Sequence, residues 1–268
     1  QVGVVLGGVN QRSQETVLKR GIDVLVATPG RLLDLVNQRI INLNKVETLV
    51  LDEADTMLDM GFIHDIRKVV DRVSKDRQTL MFSATIPNSI RELSKEFLNK
   101  PVLVEAPTES VTVDKIKQSV YYVDSRNKSS LLLDILKKEP DKSTLIFTRT
   151  KHKANKLSEI LDKNGFNIEV IHGNKSQNAR ISALKNFKSG RSKILIATDI
   201  AARGIDIAEL SQVINFELPE FPEAYIHRIG RTGRAGLTGN AISLCDRTEK
   251  RYLSDIERLI KQKLIVID

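Results

Sequence analysis

Short β-branched runs alternate with longer segments of helical periodicity along this chain. In the first hundred residues the runs are nearly continuous apolar stretches, as expected for parallel strands buried on both faces. The segments between them would form the helices that cover such a sheet. The predicted strands of this part are residues 2–6, 24–27, 48–51, 79–82 and 102–105, and the predicted helices are residues 11–20, 32–39, 63–73 and 89–99.

The alternation stops around residues 106–116 and then restarts. This segment lacks helical periodicity and contains Pro107, so we predict a linker between two domains. The sequence therefore predicts an α/β fold with parallel sheets flanked by helices, in domains 1–105 and 117–268. The second domain has predicted strands at 117–123, 144–147, 167–171, 193–197, 212–216 and 240–244, and predicted helices at 151–164, 178–189, 224–229 and 250–262.

The charge balance favours a polyanionic partner. The formal net charge is +8, although charge for solubility alone is the alternative. Aromatic residues make up 4% of the chain and Trp is absent, which favours contacts to a phosphate–sugar backbone over rows of stacked bases. Cys245 is the one cysteine, so no internal disulfide or cysteine–histidine zinc site is expected, and a cytoplasmic location fits. No apolar stretch approaches the length of a membrane span.

Two acids directly follow the apolar run 48–51. In open parallel sheets, ligands bind beyond the carboxyl ends of the strands. Asp52 at that position can hold Mg²⁺, mostly through water, and Glu53 can orient or deprotonate an attacking water. The alternative is a polar strand end that leads into a solvated loop.

Hydroxyl and glycine motifs follow other predicted strands. Ser83 and Thr85 come after the run 79–82, where such residues also commonly begin a turn or cap a helix. Residues 28–31 read Thr-Pro-Gly-Arg and open a predicted helix, whose N–H groups and arginine suit a backbone phosphate. Gly7-Gly8 permits the close approach of a nucleic-acid strand. For residues 28–31 the alternative is an ordinary turn with a threonine cap.

The second half carries two charged motifs. Residues 198–206 again follow an apolar strand, although a charged loop is the alternative. Residues 227–234 read His-Arg-Ile-Gly-Arg-Thr-Gly-Arg, with an arginine every three residues. This spacing can place guanidinium groups on one side of a helical turn, where they would stabilise charge on a transferring phosphoryl group. A basic solvated helix face is the alternative.

The order Asp-Glu-Ala-Asp at 52–55, Ser-Ala-Thr at 83–85 and the octet 227–234 resembles the DEAD-box RNA helicases, ATP-driven enzymes that remodel RNA. The resemblance covers essentially the whole chain. It implies two RecA-like domains, ATP and Mg²⁺ as cofactors, and RNA bound largely through its backbone; we expect a monomer that is not bound to a membrane.

The resemblance also implies roles for individual residues. Catalysis would fall to Asp52 (also the Mg²⁺ ligand), Glu53, Arg231 and Arg234, and both arginines would contact ATP together with Gly204 and Asp206. Coupling of nucleotide state to strand separation would fall to Asp55, Ser83, Thr85 and His227. RNA would be contacted by Gly8, Thr28, Pro29, Gly30, Arg31, Thr148, Arg149, Gln177, Arg180 and Thr198.

The phosphate-binding motif G-x-x-x-x-G-K-[ST] does not occur in this sequence, since no glycine is followed by lysine. We therefore expect a partial sequence, with a first domain incomplete at its N-terminus and no activity alone. The alternatives are a naturally truncated RNA-binding module that does not hydrolyse ATP, and a DNA-directed helicase of a related superfamily. Residues 24–35 and 52–66 resemble the bacterial E-type helicases, although Thr56 stands where Arg commonly follows D-E-A-D.

Overall fold

The computed structural model describes residues 1–105, 116–202, 210–233 and 239–267. The chain divides into two compact units, unit 1 from Gln1 to Glu105 and unit 2 from Ala106 to Asp268. The predicted linker lies outside the described residues except for Ile116, which is the first residue of a strand rather than part of a linker. Among the described ranges, no helix combines the length and hydrophobicity needed to cross a membrane.

Unit 1 contains two separate pairs of parallel strands with helices between them. β1 pairs with β2 and β3 with β4, and each pair ends in register, with Val5 opposite Ala27 and Leu51 opposite Met81. The residues that follow two paired strands are therefore neighbours in space. The elements are β1 Val2–Val5, α1 Gln11–Leu18, β2 Val24–Ala27, α2 Pro29–Asn37, β3 Thr48–Leu51, α3 Ala54–Asp59, α4 Ile63–Arg72, β4 Gln78–Met81 and α5 Asn88–Phe97.

The β1–β2 pair buries one face only, so the prediction of strands buried on both faces was wrong here. Val2 and Val4 are exposed on one face beside their partners Val24 and Val26. The other face packs against a cluster from α2 and α4 that includes Leu33. Alternate residues of a strand point to opposite faces, so covering one face leaves every second valine in solvent.

Residues 102–105 were predicted as a strand, and this was also wrong. They are irregular, and Val102, Leu103 and Val104 are exposed. β-Branched residues favour a strand only where a pleated surface has neighbours to pack against, and these residues pair with no strand of the described chain.

Unit 2 contains one parallel sheet, whose seven described strands lie in the order β11-β5-β10-β9-β6-β8-β7. Every residue of β6 and β8 is buried, as predicted for strands covered on both faces. The elements are β5 Ile116–Tyr122, α6 Lys128–Lys138, β6 Thr144–Thr148, α7 Lys151–Lys163, β7 Ile168–Ile171, α8 Gln177–Lys188, β8 Ile194–Thr198, α9 Asp199–Ala202, β9 Gln212–Asn215, α10 Pro222–Ile229, β10 Gly239–Cys245, α11 Lys250–Ile260 and β11 Ile265–Val266.

Two layers of helices enclose the central strands of unit 2. Ile146 and Ile196 point to a cluster with α6 and α7, whereas Leu145 and Leu195 point to a cluster with α8 and α9. This alternation of two along each strand divides the core between the two faces of the sheet. The sheet is therefore a rigid base for the residues that follow its carboxyl ends.

The structure adds helices that the sequence analysis did not predict. In α6, Leu132, Ile135 and Leu136 are buried at helical spacing, so the signal was present in the sequence and was overlooked. The helices α3 and α9 have six and four residues, which is too short for a periodic pattern to show.

Candidate functional site

The two predicted catalytic acids of unit 1 lie beyond the end of β3. Asp52 and Glu53 are both exposed, and Asp52 Oδ1 accepts a hydrogen bond of 2.9 Å from the Glu53 N–H. Glu53 has φ 51° and ψ 50°, in the left-handed region. A side chain other than glycine holds this conformation at a cost of about 1 kcal/mol, and such strain tends to occur at functional sites. The sharp turn leaves both carboxylates in solvent at the strand end.

Asp55 joins the acidic motif to the Ser-Ala-Thr motif. Its buried Oδ2 accepts hydrogen bonds from the N–H of Thr85 at 2.9 Å and from the Thr85 hydroxyl at 3.0 Å. The Asp55 N–H donates to Ser83 Oγ at 3.3 Å, and Ser83 Oγ donates to the Thr85 carbonyl at 2.7 Å. The structure thus brings together Asp55, Ser83 and Thr85, three of the four residues predicted to couple nucleotide state to RNA.

A second group of predicted residues lies at the ends of β1 and β2. The N–H of Gly7 donates to Thr28 Oγ1 at 3.3 Å, and the Arg31 guanidinium donates from NH1 to the Val9 carbonyl at 3.1 Å. Gly8 and Gly30 are exposed. Pro29 is the first residue of α2, and its N-cap Thr28 makes no side-chain cap hydrogen bond. The N-terminus of this helix therefore leaves N–H groups that suit an anion.

In unit 2, Thr148 and Thr198 lie opposite each other at the ends of β6 and β8. Both are buried, and the Thr148 hydroxyl donates to the Thr150 carbonyl at 3.3 Å. The structure therefore places these two predicted RNA contacts side by side, but the Thr148 hydroxyl is already hydrogen-bonded within unit 2.

Gln177 and Arg180, the two predicted RNA contacts on α8, also lie in contact with each other. Arg180 donates from NH1 to Gln177 Oε1 at 3.2 Å and from NH2 to the Ala201 carbonyl at 3.4 Å. The Arg180 Nε is buried without a hydrogen-bond partner in the part of the chain that the structure describes. The start of α8 is thereby tied to α9, which directly follows β8.

Arg149 is surrounded by carboxylates. Its N–H donates to Glu217 Oε2 at 3.0 Å, and its NH2 lies 3.2 Å from Glu217 Oε1. Glu249 Oε1 and Glu220 Oε1 each lie 3.5 Å from the guanidinium. Burial alone would lower the pKa of Arg149, but the charges of Glu217 and Glu249 raise it. A phosphate that binds Arg149 therefore competes with anions already present.

Two of the carboxylates beside Arg149, those of Glu217 and Glu249, also pair with lysines. Glu217 also accepts a hydrogen bond of 2.6 Å from Lys153. Burial would raise the pKa of Glu217, but hydrogen bonds from Lys153 and the N–H of Arg149 lower it below its ordinary value. Glu249 is fully buried and forms an ion pair with Lys128, which also donates to the Phe216 carbonyl at 3.1 Å. The network links the ends of β6, β9 and β10.

Arg228, the first arginine of the octet, is held inside unit 2. Its Nε and NH2 donate to the two carboxylate oxygens of Asp199 at 2.6 and 2.7 Å. Its NH1 donates to Asn215 Oδ1 at 3.0 Å and to the Glu217 carbonyl at 2.6 Å. The guanidinium also lies over the Phe147 ring, 4.9 Å from the centroid. The three-residue spacing therefore does not place all the arginines in solvent, since Arg228 joins α10 to the start of α9.

The remaining residues of the octet lie at the end of α10. His227 is in its last turn and is half-buried, as is Arg231 just beyond it. The N–H of Arg231 donates to the Arg228 carbonyl at 3.2 Å, and its carbonyl accepts from the Leu210 N–H at 3.2 Å. Predicted roles for Gly204, Asp206 and Arg234 fall outside the described residues.

Sequence reasoning did not single out Glu217, Glu249 or Lys128 as part of the motif environment. Glu217 follows the end of β9 much as Asp52 follows β3, so a polar residue after an apolar run was the available signal. Lys128 and Glu249 are far apart in sequence, and nothing in a single sequence pairs them.

Two family patterns match the chain. The DEAD/DEAH box helicase pattern matches residues 1–93, and the helicase conserved C-terminal domain matches residues 127–236. The DEAD-box ATP-dependent RNA helicase CshA of Geobacillus kaustophilus is 44% identical over 97% of this chain and 56% of that relative. CshA of Bacillus subtilis is 43% identical over 97% of this chain and 53% of the relative. The chain spans about half the length of the curated relatives it matches.

Solved structures agree with this match. Dbp5 of S. cerevisiae bound to RNA and ADP BeF3 has a TM-score of 0.87 and 33% identity, over 99% of this chain and 70% of that chain. A DEAD box protein from Methanococcus jannaschii has a TM-score of 0.55 and 39% identity, over 100% of this chain and 72% of that chain. The parallel sheets and flanking helices of this chain match the RecA-like domains of these helicase structures. The chain belongs to the DEAD-box helicase family.

Proposed function

We propose that the protein that carries this chain is an ATP-dependent RNA helicase, which couples RNA-stimulated ATP hydrolysis to local unwinding of RNA duplexes. The observation that carries the proposal is the cluster around Asp55. Asp55 follows the two exposed acids in the chain and bonds to Ser83 and Thr85 beyond the end of β4. Two exposed carboxylates can take part in ATP hydrolysis, and the buried Asp55 beside them can transmit the nucleotide state to a neighbouring motif.

Mg²⁺ fits the donors that are present. Among the described residues, no group of three or more His, Cys, Asp and Glu side chains could hold a metal ion. Mg²⁺ is usually bound by one or two carboxylates together with phosphate oxygens and water, so Asp52 with an ATP phosphate meets its needs. When bound, the ion would neutralise charge on the phosphates.

The reaction requires few groups from the protein. Glu53 orients the attacking water or accepts its proton, and its exposed position at the strand end permits this. Arg231 and Arg234 stabilise the charge that develops on the transferring phosphoryl group, and Gly204 and Asp206 contact the nucleotide.

RNA is bound through its backbone by residues that lie at strand ends or at the starts of helices. Unit 1 provides Gly8 and the N-terminus of α2, from Thr28 to Arg31. Unit 2 provides Thr148, Arg149, Gln177, Arg180 and Thr198. Contacts of this kind give little sequence preference, and 2′-OH groups would distinguish RNA from DNA. Within the family we place the chain with the bacterial E-type helicases on residues 24–35 and 52–66, acting as a cytoplasmic monomer.

The test is Glu53→Gln in the intact natural protein that carries this sequence. The amide keeps the shape but cannot accept a proton, so we expect RNA-stimulated hydrolysis to fall at least about 100-fold with ATP and RNA affinities retained. The matched control is Glu47→Gln, an exposed carboxylate just before the opposite end of β3, which should hydrolyse ATP at the wild-type rate.

Wild-type turnover in Glu53→Gln would reject the role of Glu53. Equal stimulation by RNA and by DNA of the same sequence would instead favour a DNA-directed helicase. Absence of ATP turnover in the wild-type protein, with RNA bound independently of ATP, would favour an RNA-binding module.

A further inference from the structure

One buried glutamine of unit 1 is not among the motif residues. Gln14 lies on α1 and is 4% exposed. Its Oε1 accepts a hydrogen bond from the N–H of Leu6 at 2.9 Å. Its Nε2 lies within donating distance of the carbonyls of Leu6, Val9 and Asn10, at 3.2, 3.2 and 3.3 Å. One side chain therefore contacts the backbone at both ends of the loop 6–10.

This loop contains the exposed Gly7-Gly8 pair. Gly8 has φ 74°, in the left-handed region that glycine adopts without strain. Glycines also give a loop the largest number of alternative conformations, so a defined shape must come from outside the pair. Thr28 and Arg31 each hold one point of the loop, and Gln14 holds its two ends.

We propose that Gln14 is a positioning residue that holds the Gly7-Gly8 loop in the shape that binds the RNA backbone. The inference rests on the proposed function, since it assumes that this loop contacts RNA. The position requires an amide, because its side chain must accept a hydrogen bond from the N–H of Leu6 and donate to the backbone carbonyls. An ionised carboxylate of the same size can only accept, and an apolar side chain can do neither.

The experiment compares Gln14→Leu and Gln14→Glu with Gln11→Leu. Gln11 is the matched control because it is on the same helix, and its amide bonds to the side chains of Glu15 and Gln38 rather than to the loop. Binding of a labelled single-stranded RNA of mixed sequence is measured at fixed salt in the intact protein, together with ATP hydrolysis. We expect both Gln14 variants to raise the RNA Kd and the RNA KM about tenfold.

Loss of a residue that merely fills the core would lower stability and would affect the RNA and ATP parameters alike. We expect kcat at saturating RNA and the KM for ATP to stay within about twofold of wild type. Hydrogen exchange should show faster exchange of the amides in residues 6–10, with β1 and β2 unchanged. Gln11→Leu should match wild type in every measurement.

Three results would overturn the proposal. RNA affinity equal to wild type in a folded Gln14→Glu protein would show that the loop needs no support from Gln14, while the helicase assignment stands. Equal losses in the RNA and ATP parameters would make Gln14 a general core residue. A wild-type protein that binds no RNA would reject the proposed function and the inference together. If Gln14→Leu does not fold, Gln14→Glu decides, because it keeps the size and the acceptor.

Discussion

Units 1 and 2 both place motif residues at the carboxyl ends of parallel strands, but they hold them by different chemistry. In unit 1, the buried carboxylate of Asp55 is satisfied by uncharged donors, the N–H groups of Thr56 and Thr85 and the Thr85 hydroxyl. In unit 2, the buried guanidinium of Arg228 is matched by the carboxylate of Asp199. The site in unit 1 is therefore built around one charge with neutral partners, whereas the site in unit 2 is built around an ion pair.

This difference determines what each unit can tolerate. A carboxylate with neutral donors can be exchanged for an amide of the same shape at a limited cost, since the amide oxygen still accepts on one side and no charge is left without a partner. Removing one member of a buried ion pair instead leaves the other charge buried without compensation. We therefore expect unit 2 to be far more sensitive than unit 1 to single substitutions at its motif residues.

The largest expected effect is that of Asp199→Ala. Arg228 is almost fully buried and would lose the carboxylate that binds its Nε and NH2, so unit 2 should be destabilised by about 3 kcal/mol. Urea unfolding followed by tyrosine fluorescence measures this, because the chain has no Trp and its four tyrosines, Tyr121, Tyr122, Tyr225 and Tyr252, all belong to unit 2.

The control for this prediction is Asp255→Ala. Asp255 pairs with Arg251 and Arg258 on the surface of α11, and exposed pairs of this kind contribute at most about 0.5 kcal/mol. Equal losses in the two variants would mean that the Arg228–Asp199 pair contributes no more than a surface pair, and the contrast between the units would fail.

A smaller effect is expected for Asp55→Asn in unit 1. The amide oxygen can still accept from Thr85, but its NH₂ group would face the N–H of Thr56, so we expect a loss of about 1.5 kcal/mol. Hydrogen exchange of residues 48–97 should report the change while tyrosine fluorescence of unit 2 stays as in wild type. A loss as large as that of Asp199→Ala would show that neutral donors offer no greater tolerance than an ion pair.

The same contrast explains which features the sequence revealed. Apolar runs that end in Asp52, Ser83 or Thr198 predicted both the strands and the residues at their ends, because burial and the direction of a parallel strand are local properties. The Asp55–Thr85 contact was not predicted: the family resemblance gave both residues a coupling role, but they are thirty positions apart and no local pattern pairs them.

Other features depend on packing that a single sequence does not contain. The spacing of Arg228, Arg231 and Arg234 suggested one cationic surface, yet Arg228 faces inward because Asp199 and Phe147 happen to surround it. One-sided burial of Val2 and Val4 likewise depends on which elements cover the β1–β2 pair. The pattern of residues predicts strands, whereas tertiary contacts decide how they are covered.

The smallest expected effect concerns pH and the Glu217 carboxylate. Its pKa in the folded protein lies below the ordinary value of 4.5, despite burial, because Lys153 and the N–H of Arg149 donate to it. A lowered folded-state pKa adds stability that is present above pH 4.5 and is lost as the pH falls through the folded value. Glu217→Gln removes this titration, so its deficit relative to wild type should be about 1 kcal/mol near neutral pH and should disappear in acid.

Tyrosine-detected urea unfolding of the two proteins from neutral pH down to about pH 3 measures this difference within unit 2. The acidic limb should be steeper in wild type, because only wild type binds a proton at position 217 on unfolding. A deficit that stays constant over the whole range would assign the effect to altered packing around Arg149 rather than to the charge of Glu217. The stability of unit 2 would then depend on the shape of the side chain at position 217 rather than on its charge, as is expected for unit 1 at Asp55.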